Sequence, residues 1–184
     1  MGSRNWDDPT IIRYLVREVF ARSLVLVDHT HWTGHECDLL VVHPSLRLID
    51  VEVKVDKQDF KIDALKDKWW MSVPNKHRPQ TPSPWLRGHL WPDKVWKHYY
   101  VLPMEVWSDT LLPYCPPNSG IILVKHQRGY IRHDVIRAAK PDRNAKPVTT
   151  PQVIDIARLA SLRLWNTRAW TEKGCKPLVG DDAD

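Results

Sequence analysis

The chain has 184 residues, 42% of them hydrophobic and 27% charged, which is enough for one domain with a real core and short for two. Its 27 Lys and Arg against 22 Asp and Glu leave a formal charge of +5, a balance that permits a polyanionic partner without requiring one. This composition excludes collagenous, coiled-coil and wholly disordered chains. The longest apolar runs, Leu24–Val27 and Ile121–Val124, fall far short of the roughly 20 residues that span a bilayer, so no membrane association is expected. Cys37, Cys115 and Cys175 are odd in number and form no CxxC, and the first residues carry no apolar signal segment. Both features predict a reducing cytoplasm.

In chain order, Asp8-Pro9-Thr10 reads as a capped helix start, and Ile11, Ile12, Leu15, Val16, Val19 and Phe20 supply one apolar face to about Ser23. Leu24–Val27 is a short strand, 28–34 a polar turn region, and Cys37–Val42 a second strand. After the turn at His43-Pro44-Ser45, residues 47–55 alternate strictly, with Ile49, Val51 and Val53 on one face and Asp50, Glu52 and Lys54 on the other. A second helix runs from Asp56 or Asp59 to about Trp70. The stretch 73–93 holds five prolines among basic residues and tryptophans and predicts a long loop. A strand over 98–102, a short helix over 104–112, a hairpin from 120–125 and 129–132, a basic linker over 140–150 and an amphipathic helix from Pro151 to about Thr171 complete the chain. The order predicts an α/β fold, a mixed central sheet flanked by helices. The expected organisation is one domain over 1–140 with an insertion at about 71–96, followed by a linker, helix and acidic tail over 141–184 that pack on or near it.

The segment Glu36–Lys54 carries the most chemical information. A hairpin centred on Ser45 sets Asp38 opposite Glu52, with the two side chains leaving the same face. Directly paired Cβ atoms lie ~4.5–5.5 Å apart. Two carboxylates that close repel unless a cation separates them, and Mg²⁺, held through one or two carboxylates with water and phosphate completing its octahedron, suits the place. Lys54, two residues on, projects from the same face. The bland alternative is a solvated edge hairpin, where Asp, Glu and Lys are ordinary. Against it stands the unbroken apolar run Leu39–Val42, which predicts buried flanking strands where a charge is costly without a task.

Asp38, a hairpin, then Glu52-Val53-Lys54 resembles the Asp…(Asp/Glu)-x-Lys signature of the PD-(D/E)XK nuclease superfamily, without the leading proline of its name. The order of Val55–Phe60, Asp67-Lys68-Trp69, Tyr99–Pro103 and Gly120-Ile121-Ile122 is similar to the MmcB-like group, linked to DNA repair, over roughly residues 10–137. The resemblance implies a restriction-endonuclease-like core and a Mg²⁺-dependent DNA endonuclease in which Mn²⁺ can substitute. It implies metal ligation by Asp38, Glu52 and the backbone carbonyl of Val53, with Lys54 beside the attacked phosphate. Glu18, on the first helix, matches an acidic residue that many members add to the metal shell; its alternative is a solvated Glu paired with an Arg. Lys68 falls in the family pattern and is expected to contact phosphate.

Other candidates follow from the residues alone. His29, His31, His35 and Cys37 cluster within nine residues, yet match no standard zinc spacing; histidines beside a phosphate site are the simpler reading, with His35 the expected substrate contact. Asp59, Asp63 and Asp67 read as a solvated helix face with salt-bridge pairs. In the insertion, Arg78 and Arg87 beside Trp85 and Trp91 suit unstacked DNA; packing of those tryptophans under the loop is the competing reading. Two functions from different classes remain: a nuclease acting on structured, single-stranded or damaged DNA, and a non-cleaving module that binds nucleic acid or protein. A homodimer is the assembly that a cut through both strands of a duplex calls for.

Overall fold

β-Branched and aliphatic residues alternate with charges along Leu48–Val53, yet in the computed structural model every one of these six residues is buried. The reason is the position of this strand, β3, in the middle of a six-stranded sheet covered on both faces. The structure describes residues 6–69 and 91–173. The strands are β1 (Val25–Thr30), β2 (Cys37–Val42), β3 (Leu48–Val53), β4 (Val95–Pro103), β5 (Gly120–Gln127) and β6 (Tyr130–Arg137). They lie side by side in chain order. β1, β2 and β3 form an antiparallel meander, β3, β4 and β5 run parallel, and β6 returns antiparallel on β5. The β5–β6 turn has φ of 51° at Arg128 and 84° at Gly129, the two left-handed residues that a tight hairpin requires and that favour glycine.

The first helix, α1 (Asp8–Tyr14), is capped by Asp7, whose carboxylate accepts from the Thr10 N–H at 2.8 Å. The sequence reading placed that cap one residue later. The helix widens into a π-turn over Leu15–Val19 and ends where the Phe20 N–H donates to the Leu15 carbonyl. Its apolar stripe, Ile11, Ile12 and Leu15, packs on Leu39, Val41, Ile49, Val51 and Val53 of the sheet. α2 (Lys57–Asp63) is capped by Asp56 and is shorter than its periodicity suggests. It breaks at Ala64, and a 3₁₀ turn (Asp67–Trp69) then turns Lys68 and Trp69 into the interior, 3% and 0% exposed.

The face opposite α1 holds two further clusters. Phe60, Trp69, Tyr100, Leu102, Leu111 and Ile121 fill one, beneath α2 and a 3₁₀ turn at Asp109–Tyr114, the latter standing where a short helix was expected. Val27, Leu40, Val42, Leu48, Val148 and Ile156 fill the other, beneath α3 (Thr150–Lys173). The linker before α3 is pinned to the β2–β3 turn by the Val148 N–H, which donates to the Leu46 carbonyl at 2.7 Å. Among the described residues no helix is long and apolar enough to cross a membrane.

Candidate active site

The β2–β3 register pairs Leu39 with Val51 and Leu40 with Asp50, so continuing it by one step sets Asp38 opposite Glu52. The Val53 N–H donates to Asp38 Oδ2 at 2.7 Å, clamping that carboxylate against the end of β3. Asp38 remains half-buried, whereas Glu52 is 1% exposed. Burial, followed by the charge of Glu52, raises the Asp38 carboxyl above its ordinary range, while Lys54 and the Val53 N–H act the other way.

Lys54, just beyond β3, points into a ring of carboxylates: its Nζ lies 2.6 Å from Glu52 Oε2, 3.4 Å from Asp63 Oδ1 and 3.8 Å from Asp38 Oδ2. Burial alone would lower its pKa, but Asp63, Glu52 and Asp38 together push it well above the usual lysine value. Lys54 is therefore an ammonium throughout the working pH range, a source of positive charge with no capacity to accept a proton.

Two residues that the sequence reading left on solvated surfaces or without a role lie inside this cluster. Asp63, assigned to an exposed helix face, is fully buried. Its Oδ1 is 2.9 Å from Lys66 Nζ and its Oδ2 accepts from Tyr100 Oη at 2.5 Å. Burial would raise its pKa, yet Lys68, Lys54 and Lys66 hold it far below the ordinary carboxylate range. Asp50 is also buried, its Oδ2 4.0 Å from Lys68 Nζ and its Oδ1 without a hydrogen-bond partner. Burial lifts the Asp50 carboxyl to about 7, against the opposing pull of Lys68. The alternation of 50, 52 and 54 was legible; the inward turn after α2 that brings Lys66 and Lys68 against them was not.

Lys68 departs from the phosphate-contact role expected of it. Its Nζ donates to Glu52 Oε1 at 2.6 Å and lies 3.9 Å from Asp63 Oδ2, in the protein interior. Beside it, His98 Nδ1 hydrogen-bonds Ser119 Oγ at 2.9 Å while its Nε2 has no partner. Burial and then Lys68 hold this imidazole neutral, far below the usual histidine range. Asp50, Glu52 and His98 present atoms within 4.8 Å of one another, but the Lys68 ammonium already serves Glu52 there.

The solvent-facing part of the site is a cavity of about 230 Å³ lined by Asp8, Asp38, Lys54, Asp59 and Lys66, among others. The acidic residue that α1 contributes is thus Asp8, and Glu18 instead lines a separate hollow with Tyr14, Arg17 and Tyr130. Glu18 lies ten residues further on, about 15 Å along a helix axis, too far to reach the same point. Asp8 Oδ1 is buried without a hydrogen-bond partner, and burial raises this carboxyl. Asp8 read as a helix cap, a role that Asp7 fills and that leaves Asp8 available.

Among the histidines, the one beside Asp38 is His29, whose Nδ1 lies 3.8 Å from Asp38 Oδ1. His29 has φ of 42°, a left-handed conformation uncommon outside glycine, and its carbonyl accepts from the Arg163 guanidinium of α3. His35 is half-buried in the β1–β2 turn, its carbonyl accepting from Thr33 Oγ1. Cys37 is fully buried with its thiol on the Thr30 carbonyl, and burial raises its pKa strongly, which removes it from any zinc reading. Trp91 is half-buried, its ring packing against Trp69 and its Nε1 donating to the Val95 carbonyl at 2.6 Å. Trp85, Arg78 and Arg87 lie outside the described residues.

The donor set can be tested against a divalent cation. Asp38 and Asp8 offer carboxylate oxygens at one cavity, Asp8 with an unserved buried oxygen, and hard oxygen donors of this kind suit Mg²⁺. Glu52 joins only if Lys54, 2.6 Å from its Oε2, yields that oxygen. The cavity-lining carboxylates of Asp38 and Asp8 thus fit such an ion.

No protein-family model and no curated protein matches the sequence. Among solved structures the chain is similar to the SPO1766 protein of unknown function from Silicibacter pomeroyi, at 16% identity and a TM-score of 0.57, over 96% of this chain and 99% of that one. The likeness extends over nearly the whole of both chains and establishes a shared α/β fold, with a six-stranded mixed sheet flanked by helices.

Proposed function

We propose that the protein is a Mg²⁺-dependent endonuclease that hydrolyses phosphodiester bonds in DNA, on a restriction-endonuclease-like core formed by α1, β1–β3, α2 and β4. The observation that carries this reading is the placement of Asp38 opposite Glu52 on facing strands with Lys54 against both, at a cavity that Asp38, Lys54 and Asp8 line while Glu52 is buried. Asp38, Glu52 and Asp8 would hold the cation, together with the Val53 carbonyl that the family pattern implies. When bound, such an ion offsets the negative charge of phosphodiester hydrolysis and lowers the pKa of a coordinated water. Lys54 supplies fixed positive charge toward the phosphate oxygens. Structured, single-stranded or damaged DNA and a role in repair belong to the same proposal.

The decisive experiment compares cleavage of single-stranded, duplex and branched DNA, with Mg²⁺ or Mn²⁺, by the wild type and by Glu52→Gln, Asp38→Asn and Lys54→Met. Loss of at least a hundredfold in each variant is expected; wild-type rates in Glu52→Gln would overturn the assignment.

A second reading has one observation in its favour. Both Glu52 oxygens are already held at 2.6 Å, by Lys54 and by Lys68, so the cluster is neutralised from within the chain. A non-cleaving module would keep the cluster as a structural core. Undetectable cleavage on all three substrates, combined with DNA binding unaffected by chelation, would select it.

A further inference from the structure

A charged hollow outside the Asp38–Glu52 site lies between α1 and the β5–β6 hairpin. It measures about 430 Å³, and its walls carry three guanidiniums, Arg13 and Arg17 from α1 and Arg132 from β6, with Tyr14 and Tyr130. Glu18 is the one carboxylate on its lining. None of the three arginines makes an ion pair within 4.0 Å among the described residues. The interior lysines Lys54, Lys66 and Lys68 share carboxylates, and Lys125 on the same hairpin pairs with Asp134 at 2.5 Å. Three guanidiniums against the single carboxylate of Glu18 leave the lining net positive, and an anion seated among them is attracted to it.

The geometry favours a chain of phosphates over a single one. A second hollow of about 310 Å³, lined by Gln127, Arg128, Tyr130 and Arg132, adjoins the first, and the two share Tyr130 and Arg132. The result is a track along the hairpin with Arg13 and Arg17 at one end, Arg128 at the other, and an aromatic ring between them. Tyr130 is 69% exposed, so its ring face is open to a ligand. The backbone of Tyr130 is fixed by a tight turn and by pairing with Gln127 across the hairpin. Guanidiniums alternating with an exposed ring match the alternation of phosphate and base in an unpaired strand, and a duplex hides its base faces.

We infer that the α1–β6 groove, through Arg13, Arg17, Arg128, Arg132 and Tyr130, binds single-stranded nucleic acid at a site separate from the Asp38–Glu52 cavity. The inference extends the hydrolytic reading without requiring it. α1 lines both places, with Asp8 at the cavity and Thr10, Arg13 and Arg17 at the groove, so a strand seated in the groove passes beside the cavity mouth. Arg13, Arg17, Arg132 and Tyr130 are all exposed, so their replacement leaves the core intact.

The test is fluorescence anisotropy with the full chain and a labelled oligonucleotide of about twenty nucleotides, single-stranded or duplex, in excess chelator so that no cleavage intervenes. The triple variant Arg13→Gln, Arg17→Gln, Arg132→Gln is expected to bind the single strand at least tenfold more weakly. Its slope of log affinity against log salt is expected to be smaller by about two, given roughly 0.7 per phosphate contact on single strands. Tyr130→Ala is expected to weaken single-strand binding at least fivefold and duplex binding less than twofold. A control triple of exposed cations away from the groove, Lys140→Gln, Arg143→Gln, Arg158→Gln, is expected to change binding less than twofold. Equal losses in the two triples would reduce the effect to bulk charge and overturn the inference, as would unchanged binding in Tyr130→Ala. Because the readout is metal-free binding, a failure here is distinct from an absence of nuclease activity.

Discussion

Glu52 and Lys68, sixteen residues apart in sequence, meet in the protein interior through a 2.6 Å hydrogen bond from Nζ to Oε1, with both side chains 2% exposed. The bond ties the central strand to the turn that follows α2. Around it stand four carboxylates, Asp38, Asp50, Glu52 and Asp63, against three ammoniums, Lys54, Lys66 and Lys68. One proton on Asp50 balances the set.

Removing Lys68 leaves buried Asp50 without an ion-pair partner among the described residues and takes one cation each from Glu52 and Asp63. Lys68→Met keeps most of the volume and discards the charge, so the cost is electrostatic. A loss of about 3–5 kcal/mol is expected, the usual consequence of breaking a buried pair from one side. Urea denaturation monitored by tryptophan fluorescence measures it, and a change below 1 kcal/mol would show that the ion pair is not a structural element.

Asp50 sets a pH dependence whose sign is fixed by its raised pKa. In the unfolded chain the carboxyl loses its proton near pH 4, whereas in the folded protein it does so at about 7. Between those values the folded state binds the extra proton, so the Asp50 contribution to stability falls as pH rises through that window and is level above it. Asp50→Asn lacks this slope. Its stability relative to wild type is therefore expected to increase from pH 4 to 7 and then stay constant, as urea midpoints taken across that range would show. Asp63 acts in the opposite direction, since its depressed pKa contributes stability that is lost only in strong acid.

The orphaned oxygen of Asp8 makes the metal reading testable without catalysis. A ligand that binds only the folded state raises its melting temperature by mass action. Millimolar Mg²⁺ is expected to raise the wild-type Tm by a few degrees, and Asp8→Asn and Asp38→Asn to blunt that response. In chelator, Asp8→Asn is expected to equal or exceed the wild type, because burial already disfavours that charge. Glu18→Gln serves as the control and should respond as the wild type does.

Gly120 begins β5 under the ring of Tyr99. A Cβ there would stand 2.2 Å from Tyr99 Cε1 and 2.8 Å from the Ala139 backbone nitrogen. The ring could rotate away, but the backbone could not. Gly120→Ala is expected to cost about 1–3 kcal/mol, typical of overpacking, and calorimetry would detect it.

The parts of the site that the sequence made legible are those governed by local periodicity. The turn at Ser45 and the two-residue repeat of β3 suffice to set Asp38 against Glu52 and Lys54, and local patterns identify all six strands, although β1, β4, β5 and β6 extend beyond their expected limits. What escaped depends on where an element stops. The helical pattern through Lys68 continues past Asp63, but the chain breaks at Ala64, and only that break turns Lys68 inward and lets Lys66 reach Asp63. Asp8 was hidden by competition for one role: two adjacent aspartates can each cap a helix, and composition does not say which is spare. Trp91 reads equally as a platform and as a packing residue among prolines and cations, because its contact with Trp69 is set only by the tertiary structure.

The strands lie in chain order, and this has a consequence for how the protein divides its work. Every ionised member of the cluster, from Asp8 to Lys68, precedes β4 in the chain. The later half contributes Tyr100, His98 and Ser119, all neutral, together with apolar walls. Charge is thus written in the first 68 residues and its insulation in the remainder. A substitution in β4, β5 or β6 can reshape the dielectric around the carboxylates without altering their number, so reactivity and shelter can be tuned by separate stretches of one chain.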